Sequence, residues 1–277
     1  MKKTIILIIL FTSALTSAQK KEKVKGSKIV KLEQKEVGNF ESVEVEDNLE
    51  VFLVKGNECA LEVEADDNLI EFVEYKITGK NLRISTSRDI SSFKKLSVRV
   101  TYNDNFNMAI AKDETNVTAL SDVTVDDVTF KCYDYAKLFL NAKTKNFTLM
   151  ANDKSKVELN LKSEKTAIDI SKSAYVKALI SSNEMRFDMY QKSNADIEGD
   201  VLDLKLRLDN NTDFTGKKLT AKIALIEVTA YAKAVINVST NAIINASGNS
   251  EIELFGEPKI EIKKFIDSAM LKKRPIK

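Results

Sequence analysis

Residues 155–178 read SKVELNLKSEKTAIDISKSAYVKA, and one pattern occurs twice within them. A small residue is followed, at steps of two, by two further residues that are mostly apolar. The two occurrences are Ser155-Val157-Leu159 and Ala174-Val176-Ala178. A period of two is typical of a β-strand, whose alternate side chains point to opposite faces. The small residues lie 19 positions apart, so the stretch indicates a repeating β unit of that length.

The same unit recurs over much of the chain. Its small residue falls at Thr115, Ala136, Ser155, Ala174, Ser193, Thr212, Ala232 and Ser250, at spacings of 18 to 21 residues. A second alternating segment, such as Leu204-Leu206-Leu208, follows in most units. This arrangement predicts an all-β fold, a parallel β-helix (β-solenoid) with ~19 residues per turn. An antiparallel sandwich would explain the strands but not the constant spacing.

Stacked turns place equivalent residues in columns. Because the first column is small throughout, we expect it at a tight corner. One outward column reads Asn116, Lys137, Lys156, Tyr175, Asn194, Asp213, Lys233 and Glu251, and its neighbour reads Thr118, Phe139, Glu158, Lys177, Asp196, Thr215, Val235 and Glu253. Glu158, Lys177 and Asp196 alternate in sign, as do Asp213, Lys233 and Glu251. The alternation predicts ladders of ion pairs between turns.

The rest of the chain divides around this repeat. We predict a signal peptide over residues 1–18, a Lys-rich leader over 19–37, a β domain over 38–262 and a basic tail over 263–277. The β domain comprises N-terminal strands in 38–110, with a hairpin turn at 78–81, and the repeat in 113–262. In the tail, Phe265, Ile266, Ala269 and Met270 recur at helical spacing. They predict a short helix over 264–272, packed on apolar outward positions at Ala224, Ile226, Ile244 and Ala246.

The first residues have the features of a secretory signal. Lys2 and Lys3 precede an apolar run that is too short to span a bilayer, and small residues lead to Ala18. Cleavage there would make Gln19 the first residue and leave 41 bases against 41 acids, since Lys2 and Lys3 are the only charges removed from 43 and 41. We therefore expect an exported protein, periplasmic, cell-surface or extracellular, without an integral membrane span after cleavage.

Composition excludes several classes of protein. The chain has 277 residues, 30% of them charged, and the balanced charge argues against a nucleic-acid binder. It has no His, so a His-based triad or a His-ligated zinc site is excluded. No metal or cofactor motif occurs, and none is expected. Cys59 and Cys132 lie in alternating apolar patterns, which favours two buried free thiols over a disulfide.

Several stretches resemble one bacterial family. They include Asn39–Val45, Leu49–Gly56, Leu61–Asn68, Asn81–Ile84 and Phe255–Pro258. In this order they are similar to the head GIN domain of putative autotransporter adhesins, a domain of unknown function common in Bacteroidetes, over about residues 38–260. The resemblance implies an exported parallel β-helix. The segment that names the family falls near residues 47–51, but the Gly-Ile-Asn triplet itself is absent.

These observations favour a non-catalytic, adhesin-like protein of the cell envelope that binds a glycan or a protein through its β-helix faces. The alternative is a carbohydrate-active β-helix, a polysaccharide lyase or hydrolase, which requires clustered carboxylates on an outer face. The nearest approach to such a cluster is Tyr175, Lys177, Asn194 and Asp196. As binding contacts we predict Tyr175, the only aromatic residue of its outward column, with Lys156, Lys177 and Asn194 beside it.

Overall fold

The computed structural model describes residues 21–275, and the predicted signal peptide lies outside them. The described residues form 21 strands and one short 3-10 helix, Ile70–Phe72. The strands are β1 Lys23–Lys25, β2 Val30–Lys35, β3 Ser42–Val45, β4 Glu50–Lys55, β5 Ala60–Asp66, β6 Val73–Thr78, β7 Asn81–Thr86, β8 Asp89–Ser91, β9 Leu96–Tyr102, β10 Met108–Ala111, β11 Asn116–Ala119, β12 Asp127–Cys132, β13 Lys137–Ala151, β14 Lys156–Ile170, β15 Tyr175–Met189, β16 Asn194–Leu208, β17 Asp213–Val228, β18 Lys233–Ala246, β19 Glu251–Phe255, β20 Lys259–Phe265 and β21 Met270–Lys273.

The predicted β-solenoid is confirmed, with about nine turns of roughly 19 residues each. Strands β13 to β16 pair in parallel, and from β13 to β15 every paired residue is offset by 19, as in Lys137 with Lys156. Each of these 15-residue strands bends near its middle. Face A denotes the strand segments before the bend, with β9, β4, β11, β19 and β21, and face B denotes the segments after it, with β7, β3, β10, β12 and β20.

The corner column is also confirmed. Its members, Thr115, Ala136, Ser155, Ala174, Ser193, Thr212, Ala232 and Ser250, are all at most 1% exposed. Just before each corner the chain turns through a residue with positive φ, such as Asp113, Asp134 or Asp153. Short polar residues tolerate this left-handed conformation better than most. The carboxylate of Asp134 also accepts a hydrogen bond from the backbone N–H of Asp113 in the preceding turn. The turn residues therefore help to stack the coils.

The solenoid starts earlier than the small-residue repeat indicates. Strands β3 and β4 pair in parallel with β10 and β11, and β7 and β9 pair in parallel with β3 and β4. Two antiparallel additions close this end: β6 forms the predicted hairpin with β7 around Gly79, and β5 pairs with β9. The Lys-rich leader supplies β2, which pairs antiparallel with β5 at the edge of face A.

The predicted tail helix is wrong. Residues 264–272 lie in β20, a turn through Asp267 with φ of 61°, and β21. The reason is that the repeat continues once more: Ala269 lies 19 residues after Ser250, and the Met270 N–H donates to the Ser250 carbonyl oxygen at 2.9 Å. The tail therefore completes a further coil, with β20 on β18 and β21 on β19.

The assignment of Ala224, Ile226, Ile244 and Ala246 to the outward side is also wrong. All four are at most 1% exposed and point into the core. Strand β17 contains extra residues that shift its register against β16 and β18, so the alternation changes phase after Lys217 and again near Lys222. In β17 a residue counted as outward before such a shift is inward after it. In β18 alternation counted from Ala234 already places Ile244 and Ala246 inward, so their outward assignment is a wrong count of the repeat.

The two cysteines are both free. Cys132 is buried, and burial raises the pKa of its thiol to about 12. Cys59 is only half-buried, so the prediction of two buried thiols is correct for one of them. In residues 21–275 no helix has the length and apolar character that crossing a bilayer requires.

Candidate functional site

The four predicted contact residues lie side by side on face A. Lys156, Tyr175 and Asn194 are neighbours in one column across β14, β15 and β16, and Lys177 is two residues after Tyr175. The structure therefore brings the four together as the repeat predicted. All but Tyr175 are exposed, and Tyr175 is half-buried.

Two of these side chains already have partners in the protein. The Tyr175 hydroxyl donates a hydrogen bond to Asp196 Oδ2 at 2.5 Å, and this bond, with burial, raises the pKa of Tyr175 to about 12. Asn194 Nδ2 donates to the carbonyl oxygen of Lys192 at 3.1 Å, two residues earlier in the same coil. Lys156 and Lys177 have no hydrogen-bond or ion-pair partner among the described residues. A ligand that binds the Tyr175 hydroxyl would have to compete with Asp196.

A shallow depression of about 600 Å³ lies beside this cluster on face A. Lys177 and Asp196 line it with Glu158 and Leu179, whereas Tyr175, Asn194 and Lys156 do not. Leu179 is 52% exposed and the half-buried Phe139 also lines the depression, so it offers apolar contacts. The predicted cluster thus borders a depression without forming a common pocket.

The ion-pair ladders form only in part. Lys233 Nζ lies 3.9 Å from Glu251 Oε2, and Lys272 of the last coil also pairs with Glu251. Within the described chain, Lys177 makes no ion pair with Glu158 or Asp196, although the register places all three side by side. The hydrogen bond from Tyr175 occupies Asp196 instead.

A second charged cluster lies on face B. Arg186 donates two hydrogen bonds to Asp169, at 2.9 and 2.8 Å, and also contacts Asp188. Burial raises the pKa of Asp188, although Arg186 opposes the shift. Arg207 is the neighbour of Asp188 in the register, but its guanidinium lies over the Tyr190 ring, 5.7 Å from the ring centroid. Since one guanidinium holds both carboxylates, the cluster has the geometry of a structural clamp rather than a free acid–base pair.

The bend of the long strands forms a groove of about 950 Å³. Seven successive coils line it, and we name it the bend groove. Its lining residues come from 124–126, 143–145, 162–164, 181–183, 200–202, Thr220, Lys222 and 239–240. At the bend two consecutive residues, such as Glu164 and Lys165, are both exposed, which interrupts the alternation. The register accordingly pairs Ser163 with Ser182 and Lys165 with Glu184.

Hydroxyl groups and lysines give the bend groove its chemistry. Ser163 Oγ lies 2.6 Å from Thr166 Oγ1 and 3.2 Å from Ser182 Oγ, which forms a buried network between two coils. The hydroxyl of Thr144, one coil earlier, is buried and has no hydrogen-bond partner within the described part of the chain. Along the rim, Lys143 pairs with Asp122 at 2.6 Å and Lys145 with Asp126 at 2.7 Å.

Sequence reasoning missed this groove because it followed the apolar positions and outward columns of the repeat and gave the polar residues between the two alternating segments no role. The signal was present as three mostly polar residues repeated every 19, for example Lys143-Thr144-Lys145, Lys162-Ser163-Glu164 and Ser181-Ser182-Asn183. The described residues contain no group of three or more Cys, Asp or Glu arranged to hold a metal ion. The groove can donate and accept hydrogen bonds along its length.

Comparison with known proteins gives one family. A family model described as "Putative auto-transporter adhesin, head GIN domain" matches residues 39–258. No curated protein matches the chain.

Solved structures share the fold. A putative adhesin from Parabacteroides distasonis has a TM-score of 0.69 at 16% identity, over 91% of this chain and 100% of its own. A putative adhesin from Parabacteroides merdae has a TM-score of 0.65 at 15% identity, over 91% and 99%. A protein from Parabacteroides distasonis described as a putative lipid binding protein has a TM-score of 0.65 at 12% identity, over 91% and 100%. At such identities the likeness shows the fold alone.

Proposed function

Since the chain belongs to the putative auto-transporter adhesin, head GIN domain family, we propose that it is an exported, non-catalytic protein of the cell envelope that recognises a glycan or a protein through the faces of its solenoid. The observation that carries this proposal is the bend groove. It is the surface of the described chain best suited to an extended ligand, because it crosses seven coils without interruption.

The dimensions of the bend groove fit a linear ligand. Seven coils span six strand spacings of about 4.8 Å, so the groove is roughly 29 Å long. Hydroxyl, amide or ammonium groups line six of the seven coils, as in Ser181, Asn183 and Lys222, whereas the coil at 200–202 contributes Asp200, Val201 and Leu202. A linear polymer with repeated hydroxyl or amide groups can therefore make equivalent contacts in successive coils.

The charge of the processed chain supports local recognition. Processing after Ala18 leaves 41 bases and 41 acids, so long-range attraction to acidic polymers is small. Rim lysines such as Lys143 and Lys145 are already paired with acids. Binding should therefore depend on hydrogen bonds and only weakly on salt concentration.

Capture from the native cell envelope tests recognition and its location. We compare the wild-type protein with a groove variant, Lys162→Ala with Asn183→Ala, and with a face A variant, Lys156→Ala with Lys177→Ala. All four residues are exposed, so both variants should fold. We expect the groove variant to lose the envelope ligand that the wild type retains. Retention by the groove variant with loss by the face A variant would instead assign binding to the cluster around Tyr175 and Asn194.

Export has its own test. Sequencing the N-terminus of the protein from its native host should give Gln19 as the first residue. An intact Met1 on protein in the cytoplasm would contradict the export proposal.

The non-catalytic proposal is tested against the carbohydrate-active alternative. Purified protein is incubated with acidic and neutral polysaccharides, and new chain ends are measured. We expect no cleavage, because the paired carboxylates Asp169 and Asp188 are held by Arg186 and Asp196 is bound by Tyr175. Cleavage that disappears on Asp196→Ala or Asp188→Ala would show that the protein is an enzyme.

A further inference from the structure

One coil of the bend groove differs from the others. It contributes Asp200, Val201 and Leu202, whereas each of the other six coils contributes a hydroxyl, an amide or an ammonium group. Val201 is buried, but Leu202 is 51% exposed. Among the described residues, Leu202 is the only large apolar side chain that both lines this groove and is exposed. The groove therefore presents one apolar point within a polar surface.

The polar groups at the N-terminal end of the groove are already bound within the protein. Lys143 and Lys145 form ion pairs with aspartates at 2.6 and 2.7 Å. The Ser163 hydroxyl lies 3.2 Å from the Ser182 hydroxyl in the buried network between two coils. A ligand can use these groups only by displacing the protein's own partners.

The polar groups around Leu202 are free. The register pairs Ser182 with Val201 and Val201 with Ala221, so the residues that follow, Asn183, Leu202 and Lys222, hold equivalent places at the bend of three successive coils. Asp200 lies two residues before Leu202 on the same strand. The side chains of Asn183, Asp200 and Lys222 are exposed, and none of them forms a hydrogen bond or an ion pair within residues 21–275. A ligand can bind all three without competition.

These four side chains match the parts of one acetamido group, which carries an N–H donor, a carbonyl acceptor and a methyl group. The Asp200 carboxylate accepts hydrogen bonds, the Lys222 ammonium donates them, and the Asn183 amide does both. The methyl group would remove part of Leu202 from water, which is favourable in proportion to the apolar area covered. A sugar hydroxyl in the same place would satisfy the polar groups but leave Leu202 exposed.

We propose that the bend groove binds a glycan of N-acetylated amino sugars, with one acetamido group held between Asp200, Leu202 and Lys222. This inference rests on the proposed recognition along the bend groove. A polypeptide also carries amides, but its residues repeat at about 3.3–3.4 Å, whereas the coils repeat at about 4.8 Å. Its amides therefore fall out of step with successive coils. The acetamido group of a glycan is a substituent, so it can reach Leu202 while the sugar hydroxyls contact the neighbouring coils.

Titration calorimetry of the host-processed protein with three uncharged probes tests the proposal. The first is the hexamer of β-1,4-linked N-acetylglucosamine. The second is the hexamer of β-1,4-linked glucose, which has a hydroxyl in place of each acetamido group, and the third is a capped hexapeptide of Ala and Ser. We expect the N-acetylated hexamer to bind at least about tenfold more tightly than the other two, a difference of about 1.4 kcal/mol.

A pair of leucine variants locates the acetamido contact. Leu202→Asn should abolish the preference for the N-acetylated hexamer and leave the affinity for the glucose hexamer unchanged. The matched control is Leu179→Asn, because Leu179 is 52% exposed but lines the face A depression and not the bend groove. It should leave both affinities unchanged. Both sites are exposed, and circular dichroism confirms that each variant folds.

The outcomes separate this proposal from the proposed function. Equal affinity for the two sugars, binding of neither sugar, tighter binding of the peptide, or a preference that survives Leu202→Asn would overturn the acetamido assignment. Retention of the envelope ligand by the groove variant would instead overturn recognition along the groove. If that variant loses the ligand, but the wild type still retains it after its N-acetyl groups are removed, the groove assignment stands and the acetamido assignment is wrong.

Discussion

Enlarging one residue of the corner column tests whether the coils are packed as tightly as their repeat requires. Ala174 is fully buried, and it lies between Ser155 and Ser193 of the adjacent coils. The Tyr175 N–H donates to the Ser155 carbonyl oxygen at 3.0 Å, and the Asn194 N–H donates to the Ala174 carbonyl oxygen at 3.0 Å. Neighbouring strands are therefore fixed about 4.8 Å apart at this corner. Ala174→Leu adds three carbons to a position without free space.

The cost follows from overpacking. Inserting extra carbons into a close-packed site destabilises a protein by about 1–3 kcal/mol. For a chain of this size each kcal/mol lowers the melting temperature by about 2–4 °C, so we expect a decrease of roughly 2–12 °C. The matched control is Ala174→Ser, since Ser occupies the adjacent positions of the column, and its change should be much smaller. Thermal unfolding followed by circular dichroism measures both. Equal melting temperatures for Ala174→Leu and the wild type would refute the tight corner.

Three further predictions follow from the same structure. Ser250→Ala should raise the free energy of unfolding in urea by about 1 kcal/mol, because the buried Ser250 hydroxyl has no hydrogen-bond partner in residues 21–275. Ala already occupies other positions of the corner column, so it fits the site. A loss of stability would show that the hydroxyl is bonded. Deleting residues 153–171 should leave a folded protein, because β13 and β15 then pair in the register that each has with β14. Deleting Glu158 alone should be more disruptive, because it reverses the inward and outward residues that follow it. If circular dichroism shows both deletion variants equally unfolded, the coil is not the structural unit. Burial opposes ionisation of Glu46, but hydrogen bonds with Arg83 and Lys112 lower its pKa from 4.5 to about 2. The stability that ionised Glu46 contributes is therefore present above pH 4.5 and lost as pH falls towards 2. The difference in melting temperature between the wild type and Glu46→Gln should shrink over that range, and a constant difference would contradict the assignment.

The repeat was predictable because stacking demands it. The column from Asn116 to Glu251, written from spacing alone, is the column that the strand pairing shows. A parallel solenoid aligns equivalent residues of every turn, so sequence period and spatial register are the same quantity. The alternation also predicted the correct inward residues in β13 to β16, where paired residues of adjacent coils are always 19 positions apart.

Alternation failed where the backbone departs from it. In β17 the residues around Lys217 and Lys222 shift the register, and nothing in their side chains distinguishes a bulge from two outward residues in succession. The tail was ambiguous for a similar reason, because Phe265, Ile266, Ala269 and Met270 satisfy a helical spacing, although Ala269 also fits the period of the corner column. The longer-range repeat decided the structure over the local pattern.

The candidate site was predictable only as a set of neighbours. Columns identify which side chains lie side by side, so Lys156, Tyr175, Asn194 and Lys177 could be grouped from sequence. They do not show which atoms bond, and the hydrogen bond from Tyr175 to Asp196 emerged only from the structure. The bend groove needed the course of the backbone, because its concavity arises from the bend within each strand and not from any residue type.

Hydrogen exchange of the protein with and without its captured envelope ligand tests the central claim, recognition along the bend groove, most directly. At the bend, the strand pairing between β14 and β15 passes from Ser163–Ser182 to Lys165–Glu184 and leaves Glu164 and Asn183 unpaired. The backbone amides of Glu164 and Asn183 should therefore exchange readily in the free protein. We predict that the ligand slows exchange in residues 143–145, 162–164, 181–183 and 200–202, coil after coil. Slower exchange confined to the face A residues around Tyr175, with the bend segments unchanged, would contradict the claim.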